Sequence, residues 1–129
     1  MFSHVTLGVA DLDRARRFYE PLLAALGLGV MVADDRWIIW RDPASRRPLF
    51  LVTLPFDDGP ATPGNGTMVA FLAGDRALVD RCHAVALATG GTDEGAPGLR
   101  PHYHPDYYGA YVRDPDGNKL CIACHAPAP

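Results

Sequence analysis

The chain has 129 residues, enough for one domain or for two small modules that share a core. Apolar residues make up 48% and charged residues 21%, an ordinary globular balance, and a formal net charge of −3 with one Lys and scattered Arg argues against nucleic acid or an anionic membrane as partner. No apolar run reaches membrane-spanning length, no basic segment followed by an apolar stretch opens the chain, and Cys82, Cys121 and Cys124 have neither disulfide nor zinc-finger spacing, so the expectation is a reduced cytoplasmic protein without a signal peptide.

Residues 3–9 alternate loosely and read as a strand. Asp11 follows as an N-cap whose carboxylate can accept from the free N–H groups of a first helical turn. Ala15, Phe18, Tyr19, Leu22, Leu23 and Leu26 then fall at helical spacing, and Gly27 and Gly29 supply the stop. Residues 29–34 read as a second strand, Asp34-Asp35 as a turn, and 36–41 as a third strand rich in aromatic and β-branched residues. Asp42-Pro43 opens a turn before a fourth strand over 49–54. Residues 55–66 are studded with Pro and Gly, lack periodicity and read as a linker.

The same order then returns. A strand over 67–73 leads to Asp75, which caps a helix with an apolar stripe of Leu78, Val79, Cys82, Ala86 and Leu87, closed by Gly90-Gly91. A long loop is expected from about 94 to 106, with the second strand of this half short or irregular. Residues 108–113 and 119–124 form a hairpin around Asp114-Pro115-Asp116-Gly117-Asn118, where Gly and Asn tolerate positive φ. Asp114, Asp116 and Asn118 therefore read as turn residues. The tail from His125 is Pro-rich and expected to fray.

The chain thus states one pattern twice. Ser3 to Asp11 is answered by Thr67 to Asp75, and Trp40-Arg41-Asp42-Pro43 by Val112-Arg113-Asp114-Pro115. The fold class that follows is α+β. Two βαβββ modules, about 1–54 and about 67–125, make up a single domain over 1–129, and such a pair can enclose a cleft.

Successive strand side chains point to opposite faces. If Val5, Leu7 and Val9 meet the helix, then His4, Thr6 and Gly8 face the open side, with Met68 and Ala70 in the matching place of the second copy. The hairpin sets Tyr111 opposite Cys121. Tyr111 maps to Ile39, which puts Trp37 on its side, and Phe50 or Leu51 answers to Cys121. The predicted site is a cup floored by His4, Trp37, Met68, Tyr111 and Cys121, mostly apolar with a few polar groups. The stretch from Leu99 to Tyr108 concentrates Arg100, His102, Tyr103, His104, Tyr107 and Tyr108 near the rim. It reads either as a lid, led by His104 and Arg100 with Tyr103 and Tyr108 lining the pocket, or as a Pro-stiffened surface loop.

The residues His4 to Leu12, Arg17-Phe18-Tyr19, Leu26-Gly27-Leu28, Gly66 to Phe71 and Arg113 to Asn118 together resemble the vicinal oxygen chelate superfamily of glyoxalases, bleomycin resistance proteins and extradiol dioxygenases. The resemblance implies two βαβββ modules forming an incomplete barrel around a central cleft, and commonly a homodimer. It also implies a divalent metal ion that chelates adjacent substrate oxygens and acts as a Lewis acid. The family's ligand positions fall on His4, on Met68 where a His is usual, and on Cys121 where a Glu is usual; the optional fourth falls on Phe50 or Leu51. His4 then reads as a surviving ligand or as a hydrogen-bonded cleft residue. Cys121 reads as a soft ligand or as a small buried side chain.

The function this supports is a superfamily protein with a small-molecule pocket, divergent at the metal ligands, that binds or transforms a small organic compound. It carries no cofactor or one divalent ion. The alternative is an active metal-dependent lyase, isomerase or dioxygenase that uses His4 with non-standard ligands. A metal-free enzyme would take His4, His104 or Tyr111 as acid or base.

Overall fold

The computed structural model describes residues 1–129. The first module runs β1 (His4–Gly8), α1 (Leu12–Ala25), β2 (Gly29–Ala33), β3 (Trp37–Arg41) and β4 (Leu49–Thr53). The second runs β5 (Met68–Leu72), α2 (Arg76–Ala88), β6 (Thr92–Leu99), β7 (Tyr108–Arg113) and β8 (Lys119–Cys124). Each forms a four-stranded mixed sheet, ordered β1-β4-β3-β2 in one and β5-β8-β7-β6 in the other. The helix-bearing crossover makes β1 parallel to β4 and β5 parallel to β8; the hairpins are antiparallel. The fold is α+β, and the two sheets do not close, consistent with an incomplete barrel. No helix is long and apolar enough to cross a membrane.

Local chemistry accounts for the helix ends. Extended Asp11 accepts from the Arg14 amide at 3.0 Å, and Asp75 accepts from the Leu78 amide at 2.7 Å. Gly27, at φ +82°, takes the left-handed conformation that ends α1. Gly117, at φ +89°, does the same for the β7–β8 turn.

The sequence places a loop from about residue 94; the structure continues as strand β6 to Leu99. Its pairing with β7 shifts register between Asp93 and Gly95 and again between Gly95 and Gly98. Such bulges let a Gly- and Pro-bearing segment stay in a ladder that its propensity alone would not hold. A Cβ on Gly95 would also stand only 3.0 Å from Cδ2 of the Tyr111 ring.

The core lies on the helix-covered sides of the sheets. Phe18, Tyr19, Leu22 and Leu23 of α1 pack with Trp40, Phe50 and Val52; Val79, Cys82 and Ala86 of α2 pack with Val112, Leu120, Ile122 and Cys124. Helix α1 touches α2, and the rings of Phe50 and Phe71 meet at 5.1 Å across the module boundary. The β7–β8 turn clasps the first module: Asn118 Nδ2 donates to Gly8 O at 2.9 Å, the Ala10 amide donates to Asp116 at 2.9 Å, and Tyr19 donates to Asp114 at 2.6 Å. The modules therefore join through their helix sides. Strands β1 and β5 are not paired with one another, and each sheet turns its other face outward.

Candidate functional site

The outward face of the second sheet is built in cross-strand rows. Met68, Lys119 and Arg113 form one row; Ala70, Cys121, Tyr111 and Gly95 form the next. Linker residues 63–67 and Tyr103 and Tyr107, from the segment before β7, wall this face into an open groove of about 810 Å³. That is a volume suited to a small organic ligand.

Three X–H groups meet at its base. The Tyr107 hydroxyl lies 3.1 Å from the Tyr111 hydroxyl and 3.5 Å from Cys121 Sγ. Tyr107 and Tyr111 line the groove; Cys121 is fully buried behind them. Burial pushes the Cys121 thiol above its ordinary value, against the opposing pull of the tyrosine hydroxyls. Burial likewise raises Tyr107, helped by its bonds to Cys121 and Tyr111, and it raises Tyr111. All three groups thus stay protonated at neutral pH and act as neutral donors rather than as thiolate or phenolate.

The cations beside them differ in their commitments. Arg113 donates to Glu94 at 2.6 Å and to Gly117 O at 2.8 Å. Arg100 lies over the Tyr111 ring at 5.5 Å, with Nη2 on Ala96 O at 2.8 Å. Lys119 Nζ stands 5.5 Å from the centre of the same ring and enters no ion pair.

The residues singled out from the sequence divide into groups. Met68, Tyr103 and Tyr111 line the groove, and Cys121 lies beneath it. His4 and Trp37 belong to the first sheet. His4 is exposed and bonded through Nδ1 to Ser3 Oγ at 2.9 Å; Trp37 is 42% exposed. They share the outward face at opposite ends, because His4 pairs with Leu49 while Trp37 pairs with Thr53, four residues along β4. Four residues of strand span about 13 Å. Within one chain, His4 and Trp37 are therefore not brought together with Met68, Tyr111 and Cys121.

Phe50 points the other way, into the core against Tyr19, Trp40 and Phe71; Leu51, paired with Thr6 and Ile39, takes the outward place. Tyr108 also points inward, because it has the opposite parity to Tyr111; its hydroxyl donates to Asp80 of α2 at 2.7 Å. Tyr107 supplies the hydroxyl at the groove instead. Its role was hidden because it precedes the strand and no periodicity aims it. His104 Nε2 faces His125 Nδ1 at 2.8 Å, its ring packs edge-on to Tyr107, and it does not line the groove. Arg100 lies over the Tyr111 ring and is not among the lining residues. Lys119 lies in the groove as the first residue of β8, a place that its position just after the Asp-Pro-Asp-Gly-Asn turn would have revealed.

Three X–H groups share two internal contacts, and when Cys121 donates to Tyr107 and Tyr107 to Tyr111, the Tyr111 hydroxyl hydrogen is left for an acceptor in the groove. With aromatic rings around it and a cation nearby, the groove is equipped to hold a polar group and a flat apolar body.

The model for the Glyoxalase/Bleomycin resistance protein/Dioxygenase superfamily matches residues 1–122. Among solved structures, the chain is 43% identical to a glyoxalase/bleomycin resistance protein from Albidiferax ferrireducens T118, covering 96% of this chain and 98% of that one with a TM-score of 0.88. It is similar in fold to a glyoxalase-related enzyme from Fulvimarina pelagi, at 24% identity over 96% of this chain and 87% of that one with a TM-score of 0.75. The same holds for a glyoxalase/bleomycin resistance protein/dioxygenase family enzyme from Burkholderia phytofirmans PsJN, at 20% identity over 96% and 98% with a TM-score of 0.75. No curated protein matches the chain.

Proposed function

The chain belongs to the Glyoxalase/Bleomycin resistance protein/Dioxygenase superfamily, and on that premise we propose that it binds a small organic molecule in the groove on its second sheet, without a metal ion. The observation that carries this reading is the groove of about 810 Å³ with Tyr107 and Tyr111 converging on one spot of its wall. Tyrosines whose hydroxyls burial keeps protonated donate hydrogen bonds and do not abstract protons at neutral pH, which favours recognition over general-base chemistry.

The divalent ion often used in the superfamily does not fit the donors present. No three His, Cys, Asp or Glu side chains are grouped to hold an ion. Met68 is a weak thioether donor, and Cys121 is a neutral thiol engaged by Tyr107, where hard divalent ions need imidazole and carboxylate. His4 alone offers a ligand of the usual kind.

The active unit in this reading is a homodimer. Met68 is 42% exposed, Leu72 74% and Trp37 42%, all on outward sheet faces. A two-fold partner that lays its first sheet over the second sheet of its mate would cover these side chains twice over. It would also roof the groove with the sheet face that carries Trp37 of the partner subunit.

A thermal-shift screen of chemically varied small molecules tests the reading. A ligand at a hundredfold excess over its Kd stabilises the folded state by about 2.7 kcal/mol, a readily measured rise in Tm. Ligands that stabilise the native protein and lose the effect in Tyr111→Ala support the groove. No stabilising compound, or stabilisation indifferent to Tyr111→Ala, defeats it.

A further inference from the structure

The chain as a whole is acidic, at −3, yet the groove lining contains two cations, Arg113 and Lys119, and no carboxylate. Arg113 is neutralised by Glu94 at 2.6 Å. Lys119, the chain's sole lysine, has no carboxylate within ion-pair distance. A cation left unpaired in a walled groove is a ready counter-charge for a ligand. Its strand position fixes it there, since Lys119 pairs with both Met68 and Arg113 across the sheet.

The apolar side of the recognition is equally specific. Tyr103 and Tyr107 pack at 4.9 Å between ring centres, and Tyr111 stands beside them through its hydroxyl contact with Tyr107. Tyr103 and Tyr107 are inclined at 56°, so the three rings on one wall offer both faces and edges to another ring, the offset and edge-to-face contacts that aromatic pairs favour. The Tyr111 hydroxyl lies on the same wall, and with Tyr107 donating to it, its hydrogen suits an anionic oxygen, since a hydrogen bond to a charged acceptor is about twice as strong as one to a neutral acceptor.

We propose that the groove selects an organic anion with a flat aromatic body, an arene carboxylate in class, whose charge pairs with Lys119 and whose ring lies against Tyr103, Tyr107 and Tyr111. The assignment rests on the groove reading above and narrows it to a ligand class.

The test uses naphthalene-2-carboxylate, its neutral amide naphthalene-2-carboxamide, and cyclohexanecarboxylate, titrated calorimetrically into the native protein, Lys119→Met, Lys119→Gln and Lys119→Arg, each checked for native circular dichroism. The expected result is that the aromatic carboxylate binds roughly tenfold or more tightly than its amide. That preference should vanish in Lys119→Met and Lys119→Gln and return in Lys119→Arg. It should also weaken in the native protein as salt rises from about 50 to about 500 mM, because the pair is partly solvated. Equal binding of carboxylate and amide, or a preference untouched by Lys119→Met and Lys119→Gln, overturns the anion assignment; if Tyr111→Ala still abolishes binding, the groove itself stands. Cyclohexanecarboxylate binding as well as the naphthoate overturns the aromatic part. Absence of binding by either carboxylate overturns the class, while the fate of the groove is read separately from the neutral compounds of the screen.

Discussion

Tyr19 and Asp114, 95 residues apart in the chain, are joined by a 2.6 Å hydrogen bond inside the boundary between the modules. Asp114 Oδ1 accepts from the amides of Asp116 and Asn118, and Oδ2 accepts from Tyr19 and from Asn118 Nδ2. A buried carboxylate needs such a set of donors, because a charge without them would not stay out of water. Replacing Tyr19 with Phe keeps the ring packed against Phe18, Trp40 and Phe50 and removes one donor. The expected cost is about 1.5–3 kcal/mol, the range for a hydrogen bond to a charged group. Urea unfolding at pH 7 measures it; a loss below about 0.5 kcal/mol, the size of a neutral surface change, would mean that the clasp does not couple the modules.

How far the sequence foretells this arrangement depends on whether a feature is local. The two Asp caps, the apolar helix stripes and the Tyr111–Cys121 pairing depend on neighbours a few residues away, and the structure has each of them. Trp37 outward and Trp40 inward follows from strand parity alone. Strand β6 is not local in this sense. Gly95, Pro97 and Gly98 look like loop residues, and only the bulged ladder to β7 holds them extended. Tyr107 is aimed by its contacts with Tyr103, His104 and Cys121, none of which a periodic pattern encodes. The widest gap concerns how the modules meet. A duplicated βαβββ unit can join through strand edges or through helix sides, and packing of Phe50 on Phe71 and of α1 on α2 decides for the latter. His4 therefore faces away from the groove of its own chain.

The cysteines yield a prediction with a definite sign. All three thiols are buried. Burial pushes the Cys82 thiol up to about 11, from an ordinary value of 9.0. The folded value lies above the unfolded one, so the stabilisation is fully present below pH 9 and is lost as pH rises towards 11. From Cys82 alone, unfolding free energy should fall by about 2–3 kcal/mol over that window, because each tenfold difference in proton affinity between the folded and unfolded states is worth about 1.36 kcal/mol. Cys121, Tyr19 and Tyr107 are raised as well and steepen the fall at high pH. Cys82→Ala should cost about 1 kcal/mol at pH 7 and flatten the early part of the alkaline curve. In the native protein near neutral pH, a thiol-reactive chromophore should find no fast-reacting cysteine and then three after denaturant is added. An alkaline curve unchanged by Cys82→Ala would refute the assignment.

Metal content separates the two main readings of the family resemblance. With Met68 and a neutral Cys121 at two ligand positions, protein purified and dialysed against Zn²⁺, Mn²⁺ or Ni²⁺ should retain well under one equivalent of ion by elemental analysis. Chelator should leave its Tm unchanged. One equivalent retained in the native protein and lost in His4→Ala would restore the metal-dependent alternative.

Leu72 tests the proposed dimer, because it is the most exposed large apolar side chain within either sheet, at 74%. It lies at the end of β5, an edge strand of the second sheet. Light scattering on the native protein should return about twice the 13.9 kDa of one chain. Placing a charge there should cost little in a monomer, where the position is already wet, but several kcal/mol in an interface that must desolvate it. Leu72→Lys should therefore shift the mass to 13.9 kDa while circular dichroism stays native. If the groove is roofed by the partner, ligand affinity should fall with the loss of the dimer even though Leu72 is not among the groove-lining residues. A native monomer, or a dimer indifferent to this substitution, would place the second copy elsewhere or remove it.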